Sequence, residues 1–189
     1  TVSEVQHAYA GRQPVDGPRP AYRLQDFLSN DLQPKSIDVV VGIESLTHIQ
    51  SPAAVFQEAA RLLRPNGRLV LCVWTAAPDP PPCARAWLLD PICEEGRLWG
   101  LPTAEQVHRW ATAAGFEVLR QEERTAQVRR TWTVVVRRFL GALWTDPAVL
   151  GTLLDSSQPD RVFARTILRI WMAQHLNVLR YGWLVATPA

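Results

Sequence analysis

The chain has 189 residues, 47% apolar and 20% charged, a globular profile whose length suits one domain with a substantial core. A formal net charge of +2 is too small to argue for nucleic acid, and no apolar run approaches the roughly 18 residues of a membrane span. No secretory signal pattern opens the chain, and Cys72, Cys83 and Cys93 lack metal-type spacing, so the sequence reads as a cytoplasmic protein with free thiols and no metal.

The elements alternate in the manner of an α/β protein. Residues 3–10 suit a short helix, and "GRQPVDGPRP" is loop by its Gly and Pro content. "AYRLQDFL" reads as a strand ending near Asp26. "IDVVVGI" is a continuous β-branched run, which predicts a central parallel strand buried on both faces. Ser51 and Pro52 open a helix whose apolar stripe is Val55, Phe56, Ala59, Leu62 and Leu63. "RPNGR" ends that helix, and residues 68–74 come next as a strand. After the Pro-rich break "TAAPDPPPC", Thr103 and Gln106 form a capping-box pattern for a helix through Ala114, with Gly115 as its stop. "FEVLRQEE" is a strand. From Thr131 to about Leu176 the pattern turns helical, around "WTVVVRRFLGAL" and "DRVFARTILRIWMAQHL", and "YGWLVATP" closes the chain as a strand. This order suits a doubly wound sheet with a helical cap. In such sheets ligands bind beyond the carboxyl ends of the strands, which is where Glu44 and His48 fall.

Five stretches, in this order and spacing, resemble the class I S-adenosylmethionine-dependent methyltransferases: "TVSEVQ", "LQDFL", "IESLTHI", "AARLLRPNGRLVLCVW" and "YGWLVATP". They are most similar to the small-molecule branch that includes tocopherol, sarcosine and sugar O-methyltransferases of natural-product pathways. The resemblance implies a Rossmann-like seven-stranded sheet, with a cofactor-binding core over 1–130, a helical cap over 131–176, and a last antiparallel strand over 177–189. Thr1 corresponds to the end of the family's second strand. The Gly-rich segment after strand one is therefore absent from this sequence, and strand four is expected to have an unpaired inner edge.

Carried over by position, the resemblance assigns Thr1 and Gln6 to the ribose hydroxyls of S-adenosylmethionine, and Asp26 to its adenine amino group with Phe27 beside the ring. Gly42, Ile43 and Glu44 would line the methionine end. Read alone, Gln6 is an exposed helix residue, and Asp26 and Glu44 are strand-end acids. His48 is the candidate base, acting with Glu44 or alone, because a neutral imidazole can take a hydroxyl proton near pH 7; a helix-capping histidine is the alternative. Trp74, Trp87 and Trp99 could wall an apolar acceptor site, with Trp74 and Trp99 the leading candidates. His175 and Tyr181 fall in the cap segment without an assigned role. The expected activity is methyl transfer to a hydroxyl or enol of a small hydrophobic acceptor, releasing S-adenosylhomocysteine, by a monomer or homodimer. C- or N-methylation, a non-catalytic methyltransferase-like binding protein and an NAD(P)-dependent oxidoreductase are the competing readings. Lys35, the one lysine, argues against the commonest Tyr-Lys pair of the last.

Overall fold

The computed structural model describes residues 1–14, 16–155 and 161–189. Its sheet has four strands among the described residues: β1 (Ile37–Ile43), β2 (Leu63–Ala76), β3 (Phe116–Glu123) and β4 (Leu179–Pro188), in spatial order β1-β2-β4-β3. β1 and β2 run parallel, from Val39 opposite Arg68 to Ile43 opposite Cys72. β4 is antiparallel to both its neighbours, β2 and β3, so the last strand enters between two earlier ones.

α2 (Pro52–Leu62) makes the crossover from β1 to β2, burying Val55, Phe56, Ala59 and Leu62 on the sheet. Pro52 occupies its first turn, and Ser51 stands at the N-cap position without a side-chain cap bond. α5 (Ala104–Ala113) covers the same face, opened by a complete Thr103–Gln106 capping box and followed by Gly115 at φ +81°. Phe56, Leu69, Leu71, Val107, Ala111, Phe116 and Leu184 form the main core between these helices and the sheet. Burying Phe56 completely removes enough apolar area to contribute about 3 kcal/mol.

The opposite side carries α6 (Thr125–Thr145), α7 (Pro147–Leu154) and α8 (Arg161–His175), with α8 packed on α6 and on α4 (Asp90–Gly96). α4 ends a run that the sequence pattern did not foresee, beginning with α3 (Pro82–Ala84) and a π-helical turn, Arg85–Leu89. Leu88, Leu89 and Ile92 from this run meet Ala173, Val178 and Leu179 in a second core. α1 (Glu4–Arg12) is capped by Ser3, whose hydroxyl accepts from the Gln6 amide.

Four expectations need correction. Residues 21–28 are not a strand: an isolated Asp26–Ser29 bridge forms, and the stretch is tied instead to the start of the chain, by Gln25 N–H to Thr1 O at 2.9 Å and by His7 Nε2 with Tyr22 O at 3.2 Å. β1 is an edge strand rather than a doubly buried one, with Val39, Val41 and Ile43 51%, 59% and 68% exposed. β2 starts at Leu63, ahead of the "RPNGR" turn residues, because Leu63 pairs with Ile37 and the ladder then shifts register before Val39–Arg68. The late helices begin at Thr125, six residues before Thr131, since the buried Thr125 hydroxyl accepts from Tyr181 N–H and ties the helix start to β4. Val15 of the first loop and Asp160, expected to open α8, lie outside the described residues.

Candidate active site

The site is built from the carboxyl end of β1. Glu44 still donates its N–H to Cys72 O at 2.9 Å, the last rung of the β1–β2 ladder, but its φ is +55°. A left-handed non-glycine residue costs about 1–3 kcal/mol and is held there only by well-made neighbours. The kink breaks the strand and feeds a 3₁₀ turn, Leu46–His48. Leu46 and Thr47 go into the core, which leaves His48 exposed. Thr47 O accepts from Trp99 N–H at 2.8 Å, so the segment after α4 is anchored beside His48.

At the carboxyl end of β1 lies a cleft of about 990 Å³ with a mixed polar and apolar lining, which includes Thr1, Gln6, Asp26, Phe27, Ile43, Glu44, His48 and Trp99. The Thr1 hydroxyl donates to Gln6 Oε1 at 2.7 Å. Asp26 Oδ1 accepts from Leu28 N–H at 2.9 Å, which fixes the carboxyl within its turn and leaves its second oxygen for another donor. That turn is braced from α2. Glu58 accepts from Arg61 through both carboxylate oxygens, at 2.6 and 2.9 Å, and from Asn30 at 2.6 Å. The Arg61 bonds hold the Glu58 carboxyl below its usual range.

A second, apolar cavity of about 380 Å³ lies beneath α8, between α6, α4 and β2, with Trp74, Ile92, Leu98, Trp132 and Ile170 in its walls. Glu44 and His48 line both spaces, so the acid and the imidazole stand where cleft and cavity meet. Trp74 is held edge-on between Trp132 and Tyr181, with ring centroids 6.1 and 4.9 Å away. Burial first, then the nearby Cys72 and Glu44, push the half-buried Tyr181 phenol well above its usual range.

The structure thus brings Thr1, Gln6, Asp26, Phe27, Ile43, Glu44, His48 and Trp99 into one cleft and places Trp74 in the adjoining cavity. Gly42 lies behind the cleft: a β-carbon there would meet Leu71 Cδ2 at 2.7 Å and Ser45 Oγ at 3.2 Å. Trp87 is 76% exposed and lines neither space. Trp132, in the wall of the apolar cavity, was not singled out by sequence, because nothing local marks an aromatic on a helix as lining a cavity rather than a core. A third cavity, about 390 Å³ between α5 and the β3–β4 pair, contains none of the candidate residues.

The chain spans less than half the length of the curated relatives it matches. It is 31% identical over 126 residues to a tRNA U34 carboxymethyltransferase of Syntrophotalea carbinolica, covering 66% of this chain and 36% of that protein. It is 28% identical over 124 residues to a 27-O-demethylrifamycin SV methyltransferase of Amycolatopsis mediterranei, covering 65% and 45%. Among solved structures, the cyclopropane synthase MmaA2 of Mycobacterium tuberculosis shares the fold at a TM-score of 0.81 and 18% identity, over 99% of this chain and 68% of that one. The Methyltransferase domain family matches residues 4–121, well over half of the chain, and places the strand-end Glu44 and His48 within its span: the protein belongs to this methyltransferase family.

Proposed function

We propose that the protein transfers a methyl group from S-adenosylmethionine to a hydroxyl or enol of a small acceptor with an apolar body, with His48 as general base. The observation that carries this reading is the shared opening: a wide cleft of mixed lining and an apolar cavity meet at Glu44 and His48. The donor set of the cleft fits the cofactor. The Thr1–Gln6 pair offers an amide N–H₂ beside a hydroxyl for a ribose diol, and Asp26 keeps one carboxylate oxygen for an adenine amino group. Phe27 can flank the ring, and Ile43 and Glu44 would reach the methionine end, with Gly42 supporting them from behind. Residues 1–130 would form the cofactor-binding core, the helices over 131–176 the cap on the acceptor, and 177–189 the returning strand.

When bound, the cofactor supplies the electrophilic methyl group. The protein's task is alignment and removal of a proton. The indoles of Trp74 and Trp132, with Ile92, Leu98 and Ile170, would take the apolar body out of water, and Trp99 would close the cleft side. The Glu44 carboxylate draws the acceptor hydroxyl to the opening, and His48 takes its proton at transfer. The 27-O-demethylrifamycin SV methyltransferase among the relatives supports oxygen over carbon or nitrogen as the target.

Calorimetry with S-adenosylmethionine and with NADPH separates this reading from the oxidoreductase one; binding of the former alone is expected. Mass spectrometry with methyl-labelled cofactor then identifies the product. His48→Ala is expected to lower turnover roughly 10²–10⁴-fold with cofactor affinity kept within a few-fold. Turnover unchanged by the substitution between about pH 6 and 9 removes the general-base role.

A further inference from the structure

The proposed reaction leaves unused the cavity of about 390 Å³ between α5 and the β3–β4 pair, a volume within the range that holds small molecules. Thr75 follows Leu69, Leu71 and Val73 on the α5 side of β2, whereas Trp74 faces the apolar cavity beneath α8, so the sheet separates the two spaces. Val73, Val107 and Leu184 give the space apolar walls. Gly182 lies in its floor, where a β-carbon would meet Glu122 O at 2.9 Å, so the packing of β3 keeps the floor clear of a side chain. Two polar groups of the lining are not spent on the fold. Thr75 is 6% exposed, and its hydroxyl has no hydrogen-bond partner among the described residues, so whatever fills the cavity must bond it. His108 is held in one orientation by Gln121. The Gln121 amide donates Nε2–H to Ala104 O at 2.7 Å, and that carbonyl can only accept. Gln121 Oε1 therefore faces His108 Nδ1, at 3.0 Å, and receives its proton; in the neutral ring Nε2 is then an acceptor. The carboxylates of the lining each face an arginine: Glu123 meets Arg180 at 3.3 Å, Glu105 meets Arg109 at 3.8 Å, and Glu122 pairs with Arg120 and Arg124. Such a lining favours a neutral molecule.

We propose that this cavity is a second small-molecule site, for a neutral, elongated aromatic molecule with a hydrogen-bonding group at each end: an O–H or N–H that donates to His108 Nε2, and a second group bonded to the Thr75 hydroxyl. The register sets the length. Gln121, which holds the His108 ring, stands opposite Leu184, and Leu184 stands opposite Leu71. Thr75 lies four residues beyond Leu71 on β2, which separates the two ends by about 13 Å along the strands. A naphthalene-sized body with a hydroxyl at each end spans roughly that distance once a hydrogen bond of about 2.8 Å is added at either side.

The test uses naphthalene, 2-naphthol and 2,6-dihydroxynaphthalene at about pH 8, where an ordinary histidine is neutral, with binding followed by NMR at the Gly182 amide. Affinity is expected to rise roughly three- to tenfold with each hydroxyl, the range for one neutral hydrogen bond. His108→Phe and Thr75→Val should each bring the diol down to the affinity that 2-naphthol has for the unaltered protein, with naphthalene unchanged. Thr75→Val should also keep or raise stability in denaturant, because the fold makes no bond with that hydroxyl. A residue with only a structural role would do the reverse, losing stability while the preference for the diol stays intact. Three results overturn the proposal: no saturable shift at Gly182, equal affinity for the diol and for naphthalene, or diol affinity unchanged in either variant. Shifts confined to the lining of the cavity beneath α8, at Ile167 and Ile170, overturn it as well, by placing the probes on the other side of the sheet.

Discussion

The two sides of β1 use the same residue types for opposite purposes. Val40 packs against the core formed by α2, α5 and the sheet, while its neighbours Val39 and Val41 stand 51% and 59% exposed on the other side. On the packed side even Gly42 has no spare room, whereas on the open side the last residue of the strand, Ile43, borders the cleft together with Glu44 and His48. The packed side fixes where the strand ends, and the open side leaves Glu44 and His48 accessible beyond that end. Rigidity and access are thus divided between alternate residues of one strand, which is possible because a strand's side chains alternate with a period of two.

The largest expected effect lies on the packed side. Phe56→Ala leaves a void at a fully buried position and is expected to cost about 3–5 kcal/mol in chemical denaturation. A loss below about 1 kcal/mol would mean that α2 does not carry the core. Gly42→Ala should cost about 1–3 kcal/mol, because the added methyl group would stand 2.7 Å from Leu71 Cδ2 and 3.2 Å from Ser45 Oγ.

The sharpest comparison places one substitution on adjacent residues. Val40→Thr puts a hydroxyl against the core and should cost about 1–2 kcal/mol, whereas Val41→Thr should stay within about 0.5 kcal/mol. Equal costs in thermal or denaturant unfolding would show that the open side is covered in solution.

The smallest effect concerns the brace of the cleft wall. The bonds from Arg61 hold the Glu58 carboxyl below its ordinary value of 4.5, so the stability it contributes is present above that value and is lost as pH falls through the lowered folded value. Glu58→Gln should therefore destabilise by less than about 1 kcal/mol at neutral pH, with the gap from the unaltered protein closing below pH 4.5. A gap that persists or widens in acid would assign the brace to packing rather than charge.

Local chemistry made several parts of this molecule legible in advance. The Thr103–Gln106 capping box is satisfied by hydrogen bonds over three residues, and the stripe Val55, Phe56, Ala59 and Leu62 by helical period alone, so both could be read without the fold. "AYRLQDFL" misled for the converse reason: strand propensity forms no ladder without a partner, and the partner is not in the segment's own sequence. The start of α6 was missed because its anchor, Thr125 on Tyr181, spans 56 residues.

The sequence by itself determined the succession β1, α2, β2, α5 and β3, the late helices and β4, and the polar cluster after β1, since periodicity, turn residues and caps act between near neighbours. The tertiary structure alone decided that the Val39 and Val41 side of β1 is left exposed, that Glu44 and His48 face two spaces at once, and that Trp132 and Tyr181 close around Trp74. Those outcomes depend on which surfaces are left uncovered when distant segments pack, and no local window of residues contains that information.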